Sequence, residues 1–220
     1  MAGAAADPSG VRALVVAGLT VVLAVLLVRQ VVMRRPAPLS IALVAVIVLA
    51  LGAMEWRWVL SVHQLSEAVR VTAPASQGVT CQRFIGTFGY AGAEWGHVDR
   101  EPTGVAAPTA FLSYDACALA FAYVRSDKSA PPVEQVMAVH TLTHEAMHLR
   151  GEWSESAAEC ESMQRDRATA VSLGATPTQA DALARTYAVE VYPRMSAEYA
   201  DARCREGGPW DRTPGDGLWP

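Results

Sequence analysis

Two long apolar stretches near the N-terminus constrain the fold of this chain more than any other feature. The first covers residues 11–33 and has no charged residue between positions 13 and 28, and the second covers residues 39–60. A segment of about 20 apolar residues can cross a bilayer, and only a helix satisfies its backbone groups there. We therefore predict a membrane anchor over residues 1–60, with two transmembrane helices at about 11–33 and 39–60.

The residues that flank both stretches favour insertion as a helical hairpin. The second stretch has an uninterrupted apolar run at 41–54, and Trp56 and Trp58 lie just after this run. Aromatic residues are enriched at such positions, at the membrane–water interface. A cleaved signal peptide explains the first stretch poorly, because no basic cluster precedes it and a second apolar stretch follows. Between the stretches lie Arg29, Arg34 and Arg35, and the positive-inside tendency places this loop in the cytoplasm. We therefore expect a multi-pass protein of the cell membrane with both termini outside the cytoplasm.

Charge and cysteine content restrict the partners and the compartment of the remaining chain. The net charge is −4 and no extended basic patch is present, which argues against nucleic acid as a partner. All four cysteines follow the second apolar stretch, at Cys81, Cys117, Cys160 and Cys204. An even number in one domain, without a CxxC pair, is typical of disulfides in an oxidising compartment. We favour Cys81–Cys117 with Cys160–Cys204, since each pair joins segments that flank one central helix; the other pairings, and reduced thiols in a cytoplasmic domain, are the alternatives.

The chain after the anchor is predicted to be mainly α, with a small irregular β region. Residues 61–79 form a polar juxtamembrane helix and a linker, and residues 80–220 form the extracytoplasmic domain. Short segments separated by Gly and Pro predict the β region within 80–113. Helical patterns with start and stop signals predict helices at residues 114–124, 131–150, 154–173, 177–191 and 196–204.

The helix at 131–150 contains the pentapeptide His-Glu-Ala-Met-His at residues 144–148. His144 and His148 are four residues apart, so one helix face presents both imidazoles to a single metal ion. Glu145 projects towards the same ion and can accept a proton from a water molecule bound there. The apolar face of this helix excludes the histidines and is formed by Val139, Leu142, Ala146 and Leu149. We therefore predict a catalytic Zn²⁺ site with Glu145 as the general base.

The third metal ligand is expected after this helix ends. A straight helix would place Glu152 about 12 Å from His144, too far to share an ion, so the chain must turn, as Gly151 permits. Glu155 and Glu159 then lie four residues apart on one face of the next helix. We favour Glu155 as the ligand and Glu159 as the acceptor of a hydrogen bond from a ligand imidazole. The reverse assignment of these two glutamates is the alternative.

Residues 144–164, with the sequence HEAMHLRGEWSESAAECESMQ, resemble the HExxH zinc metallopeptidases of the gluzincin type, in which a downstream glutamate completes the site. More narrowly, the chain resembles bacterial membrane-anchored HExxH proteins with an ExxxEC segment and a C-terminal Cys-x-x-Gly-Gly, here residues 204–208. The resemblance implies a zincin-like domain, zinc at His144 and His148, Glu145 as base, and hydrolysis of peptide bonds. The chain departs from gluzincins because Glu155 follows His148 by only seven residues.

These features predict a membrane-anchored zinc metallopeptidase that acts on a peptide or protein substrate. The alternative is a catalytically silent, disulfide-stapled extracytoplasmic module that binds a partner or senses the state of the envelope. His140 precedes His144 by one turn and is expected to be a plain polar residue of the cleft wall; contact with substrate or a hydrogen bond to a nearby group is the alternative. The candidates to stabilise a tetrahedral oxyanion are His97 and several tyrosines, among them Tyr90, Tyr187 and Tyr192.

Overall fold

The computed structural model describes residues 8–33, 38–83, 94–212, 214 and 219, in two compact units, Met1–Ser61 and Val62–Pro220. The first unit contains α1 (Pro8–Met33) and the larger part of α2 (Pro38–Thr72). Residues Ile41–Thr72 of α2 are long and apolar enough to cross a membrane, and no other helix among the described residues meets both criteria.

The structure therefore has one candidate membrane span where the sequence predicts two. The apolar part of α1 is Val15–Gln30, which is shorter than the about 20 residues that a transmembrane helix needs. The side chains at both ends of the predicted first span, residues 11–14 and 31–33, lie outside the described set. Arg34 and Arg35, which determine the predicted orientation, also lie outside the described residues.

The second unit is mainly helical with a small mixed sheet, which confirms the predicted fold class. Its helices are α3 (Tyr114–Arg125), α4 (Val133–Leu149), α5 (Glu155–Met163), α6 (Asp166–Ser172) and α7 (Pro177–Thr186). A π-helical turn (Tyr187–Val191) and a 3-10 turn (Tyr192–Arg194) follow α7. Side-chain oxygens cap three of these helices by accepting backbone N–H groups: Ser113 caps α3, Ser154 caps α5 and Thr176 caps α7.

The sheet contains β1 (Gly78–Cys81), β2 (Gly96–His97) and β3 (Thr109–Leu112) in the order β1-β3-β2. β1 runs parallel to β3, and β2 runs antiparallel to it. The short strand β2 is therefore an edge of the sheet, and it contacts α4.

Helix α4 lies at the centre of the second unit and contacts α3, α5, α6, α7 and the sheet. Its predicted apolar face is buried at Val139, Leu142 and Ala146, whereas Leu149 at the helix end is only partly buried. The histidine face is buried as well, because α5 and α6 cover it. The helix thus supplies the core on one side and the candidate site on the other.

Two disulfides fasten the second unit, with the pairing favoured from the sequence. Cys81–Cys117 joins β1 to α3, and Cys160–Cys204 joins α5 to the C-terminal segment. They close loops of 36 and 44 residues. The loss of chain entropy in the unfolded state is worth about 4 kcal/mol for loops of this length.

The predicted helix over residues 154–173 is wrong, because the structure has two helices, α5 and α6, with a break at Gln164–Arg165. The side-chain amide of Gln164 donates to the carbonyl oxygen of Cys160 at 2.8 Å. This carbonyl is the acceptor that the backbone N–H of Gln164 needs for the helix to continue. That N–H bonds to Ser162 instead, so the helix ends and α6 begins at Asp166.

The predicted helix over residues 196–204 is also wrong, since this segment consists of turns. The hydroxyl of Tyr192 accepts from the backbone N–H of Asp201 at 3.0 Å and donates to its carbonyl oxygen at 3.2 Å. A tertiary contact thus takes both backbone groups that a helix would use at Asp201.

Candidate metal centre

His144 and His148 lie one turn apart near the end of α4, and their side chains converge. Their Nε2 atoms are 3.0 Å apart, and each residue is 7% exposed. The chain then reverses at Gly151, whose φ of 92° lies in the left-handed region that favours glycine. Ser154 caps α5 by accepting from the N–H of Ala157, and Glu155 is the first residue of that helix.

Glu155 completes a cluster of three potential ligand atoms. Its Oε2 atom lies 3.1 Å from Nε2 of His144 and 3.5 Å from Nε2 of His148. Two ligands on a tetrahedral zinc ion, at bond lengths of about 2.0–2.1 Å, are separated by about 3.3–3.4 Å. The observed separations bracket this value, so the three residues form a group that can hold one metal ion.

The second nitrogen of each ring has its own acceptor. Nδ1 of His148 lies 2.6 Å from the carbonyl oxygen of Glu152, and Nδ1 of His144 lies 3.0 Å from Oε2 of Glu159. An Nδ1–H that donates in this way fixes the tautomer and leaves the Nε2 lone pair for a metal. Glu155 therefore faces the Nε2 side of His144, and Glu159 faces its Nδ1 side.

The charges of the cluster are coupled. Hydrogen bonds from His144 and His148 lower the pKa of Glu155 to about 2. Burial alone would lower the pKa of His144, but hydrogen bonds to Glu155 and Glu159 outweigh it and raise this pKa to about 9. Without a metal, His144 is therefore protonated at neutral pH, and its positive charge stabilises the two glutamates. A bound metal cation would replace this proton.

Glu145 lies beside the cluster and is only 3% exposed. Its Oε2 atom is buried and has no hydrogen-bond partner among the described residues. Burial raises the pKa of Glu145 to about 7. Gly96 of β2 packs directly on this carboxylate, because a Cβ atom at that position would lie 2.6 Å from Oε1. A carboxylate with a near-neutral pKa and a free oxygen has the properties of a general base.

A cleft of about 580 Å³ gives access to these residues. Strand β2 forms one part of its wall, and Met195 and Tyr199 of the C-terminal segment form another. The Tyr199 ring lies 5.8 Å from the ring of His144, and Trp153 stacks on His148 at 5.9 Å. The cleft is therefore large enough for a ligand that reaches the histidines between aromatic side chains.

A second group of residues, His140, His144 and Glu159, can also hold a metal ion. Nε2 of His140 and Nδ1 of His144 each lie 3.0 Å from Oε2 of Glu159. His140 lines the cleft as expected, but it is only 4% exposed and both of its ring nitrogens contact carboxylates, so it is not a plain polar residue of the wall. Its Nδ1 atom lies 2.7 Å from Oδ2 of Asp166, a buried residue that the sequence analysis missed.

A signal for Asp166 exists in the sequence. Glu155, Glu159 and Asp166 follow the spacing of one helix face, and this acidic row faces the row of histidines at 140, 144 and 148. This spacing predicts a shared face but does not show which histidine each acidic residue contacts.

The oxyanion candidates differ in how free they are to contact a ligand. His97 lines the cleft, and its side chain is 33% exposed. Tyr187 donates its hydroxyl to Oε1 of Glu159 at 2.5 Å, and Tyr192 bonds to the backbone of Asp201. Tyr90 lies outside the described residues. Among the described candidates, His97 is therefore the residue whose side chain is open to the cleft.

Comparisons with protein-family models, curated proteins and solved structures found no match to the chain. The geometry of the side chains around His144 is therefore the evidence on which a function can be inferred.

Proposed function

We propose that this protein is a membrane-anchored, zinc-dependent peptidase. The observation that carries the proposal is the convergence of His144, His148 and Glu155 on one point beside the buried carboxylate of Glu145. Two imidazoles and one carboxylate form a donor set used for catalytic zinc, with the fourth position open to water or substrate. The cleft beside these residues supplies the open side that a catalytic site needs.

The assignment of ligands follows from which ring nitrogens are free. His144 and His148 would bind zinc through Nε2, since Nδ1 of each ring has an acceptor. Glu155 would be the third ligand, because its Oε2 atom faces both Nε2 atoms. Bound zinc would act as a Lewis acid that activates a water molecule and polarises a peptide carbonyl.

Glu145 supplies the acid–base chemistry in this proposal. Its unpartnered Oε2 atom accepts the proton of the attacking water, and the protonated carboxyl then donates it to the leaving amine. Burial favours the neutral carboxyl enough to make this exchange possible near pH 7. His97 lines the same cleft and is the proposed donor to the developing oxyanion.

The proposed location is the cell membrane, with the second unit outside the cytoplasm. One helix of sufficient length and apolarity supports the anchor. Two disulfides support an oxidising compartment for the second unit. The second transmembrane helix and the hairpin orientation rest on the apolar run at 11–33 and on the arginines between the runs.

The proposal is tested with the full-length protein purified in detergent, by measuring bound zinc and cleavage of a dye-labelled unfolded protein. Glu145→Gln should keep stoichiometric zinc and lose activity, whereas His144→Ala should lose both. Glu134→Gln, on the exposed first turn of α4, is the control that should change neither. A folded, oxidised wild-type protein without zinc would refute the peptidase and favour a catalytically silent binding or sensing module.

A further inference from the structure

His140 is the buried histidine that the proposed reaction does not use. Both of its ring nitrogens face carboxylates, with Nδ1 at 2.7 Å from Asp166 and Nε2 at 3.0 Å from Glu159. A ring between two carboxylate oxygens at these distances donates from both nitrogens. His140 is therefore a cation-like bridge between Asp166 on α6 and Glu159 on α5.

Tyr187 fixes the same carboxylate from another side. Its hydroxyl donates to Oε1 of Glu159 at 2.5 Å, and its ring stacks on His140 with centroids 3.5 Å apart. Tyr187 is 2% exposed and is the first residue of the π-helical turn after α7. π-Helical turns of this kind are frequent at functional sites, where they aim a side chain that a regular helix would misplace.

Glu159 thus receives three hydrogen bonds from side chains on two elements, α4 and the π-helical turn. Oε1 accepts from Tyr187, and Oε2 accepts from His140 and from Nδ1 of His144. The carboxylate is 1% exposed, so its orientation is determined by these donors rather than by solvent. A metal ion at this position would have to displace bonds that already satisfy both oxygens.

We infer that His140 is a positioning residue, which acts with Asp166 and Tyr187 to hold the Glu159 carboxylate against Nδ1 of His144. In this arrangement Nε2 of His144 points towards His148 and Glu155. The inference rests on the proposed zinc site, because its consequence is an Nε2 atom oriented for the metal before the metal binds. Interactions that orient a ligand histidine typically change metal affinity by about 10–100-fold when they are removed.

The inference is tested on the full-length protein by measuring zinc affinity with a competing chelator. Tyr187→Phe removes one hydroxyl from Glu159, and His140→Gln keeps one N–H donor for it. We expect zinc to bind about 10–100-fold more weakly in both variants, with one zinc per chain at saturation. Tyr123→Phe is the matched control, because Tyr123 is also fully buried but its hydroxyl has no partner among the described residues. This control should bind zinc as the wild type does.

Imidazole ¹⁵N chemical shifts of His144 provide a readout that a merely structural defect would not move. In the zinc-bound protein, the Nδ1 shift of His144 should indicate a hydrogen-bonded N–H in the wild type and in Tyr123→Phe, and this hydrogen bond should weaken in Tyr187→Phe. If His140→Gln does not fold, the zinc affinity of Tyr187→Phe tests the inference on its own. Unchanged zinc affinity in Tyr187→Phe, or a second zinc held by His140, would overturn the inference while leaving the peptidase proposal intact. A wild type without zinc would instead refute the proposed function itself.

Discussion

At the scale of single residues, the contact between Gly96 and Glu145 links the sheet to the proposed chemistry. A side chain at position 96 cannot be added without moving the Glu145 carboxylate, since a Cβ atom there would lie 2.6 Å from Oε1. The glycine is therefore required by the close approach of β2 to α4, and no unusual backbone conformation needs to be invoked.

Gly96→Ala should consequently impair activity more than metal binding. Displacement of a catalytic group by about 1 Å can reduce the rate by about 100-fold. We expect kcat to fall by this order while zinc remains stoichiometric, because the three atoms nearest to the added methyl group all belong to Glu145. Gly52→Ala is the control, since a methyl group there meets no atom within 4 Å. Equal kcat values for Gly96→Ala and wild type would contradict the role of Glu145.

The buried His140 also makes the stability of the metal-free protein depend on pH. Burial alone would lower the pKa of His140, but the charges of Asp166 and Glu159 outweigh it and raise the pKa from 6.5 to about 10. A group with a raised pKa contributes stability that is fully present below 6.5 and is lost as the pH rises through about 10.

Chemical denaturation of the protein made metal-free with a chelator tests this expectation. The free energy of unfolding should decrease between pH 7 and pH 10, and the decrease should be smaller in His140→Gln. Asp166, Glu159, Tyr187 and His144 are the titratable groups around the ring, and His144 also titrates in this pH range. Since His144 is present in both proteins, the difference between the two pH profiles reports the loss of the His140 ring. Parallel pH profiles for wild type and variant would contradict the raised pKa.

At the scale of secondary-structure elements, the reversal between α4 and α5 determines where Glu155 lies. Gly151 has a φ of 92°, and an added Cβ atom would meet nothing within 4 Å. The requirement for glycine is therefore conformational and not steric, which distinguishes it from Gly96.

Gly151→Ala should destabilise the protein by about 1 kcal/mol, and Gly151→Asn by less, because asparagine tolerates the left-handed region better. Both effects are measured as free energies of unfolding by denaturant. Zinc affinity should be lower in Gly151→Ala than in Gly151→Asn, since strain in the turn is relieved by moving Glu155 from its position beside the histidines. Equal stabilities for the alanine and asparagine variants would contradict the conformational explanation.

The elements show which parts of the structure the sequence can predict. The helix that carries His144 was predictable, because Pro131, Pro132 and Gly151 mark its limits and its residues repeat with helical periodicity. The placement of Glu155 and Glu159 on one face followed from their spacing. These predictions depend only on residues close together in the chain.

The parts that were not predictable depend on distant contacts. At the break after α5 the Gln164 side chain also bonds to the carbonyl oxygen of Trp210, 46 residues away, and in the segment 196–204 the Tyr192 hydroxyl takes the backbone groups of Asp201. The bond between His140 and Asp166 joins residues 26 positions apart, which local patterns do not reveal. Such interactions require knowledge of how α4 and α6 pack.

At the scale of the whole molecule, the two disulfides have different relations to the cleft. Cys160 follows Glu159 directly, and its partner Cys204 holds the C-terminal segment that brings Met195 and Tyr199 to the cleft. The other disulfide, Cys81–Cys117, joins β1 to α3, and neither cysteine lines the cleft.

Removal of either disulfide should lower stability by about 2–4 kcal/mol, but only one removal should alter substrate binding. Cys160→Ala with Cys204→Ala should raise KM, because the wall formed by the C-terminal segment is no longer fastened to α5. Cys81→Ala with Cys117→Ala is the matched control and should leave KM close to that of the wild type. An equal change of KM in both double variants would show that the effect is a general loss of stability.

The zinc coordination of the full-length protein tests the central claim most directly. X-ray absorption at the zinc edge should show two imidazole nitrogens and oxygen ligands at about 2.0–2.1 Å, without sulfur. His148→Ala should lose the zinc, as His144→Ala does, whereas the imidazole contribution should remain at two in His140→Gln at saturating zinc. A third imidazole in the wild type, a sulfur ligand, or no bound zinc in the folded protein would contradict a centre formed by His144, His148 and Glu155.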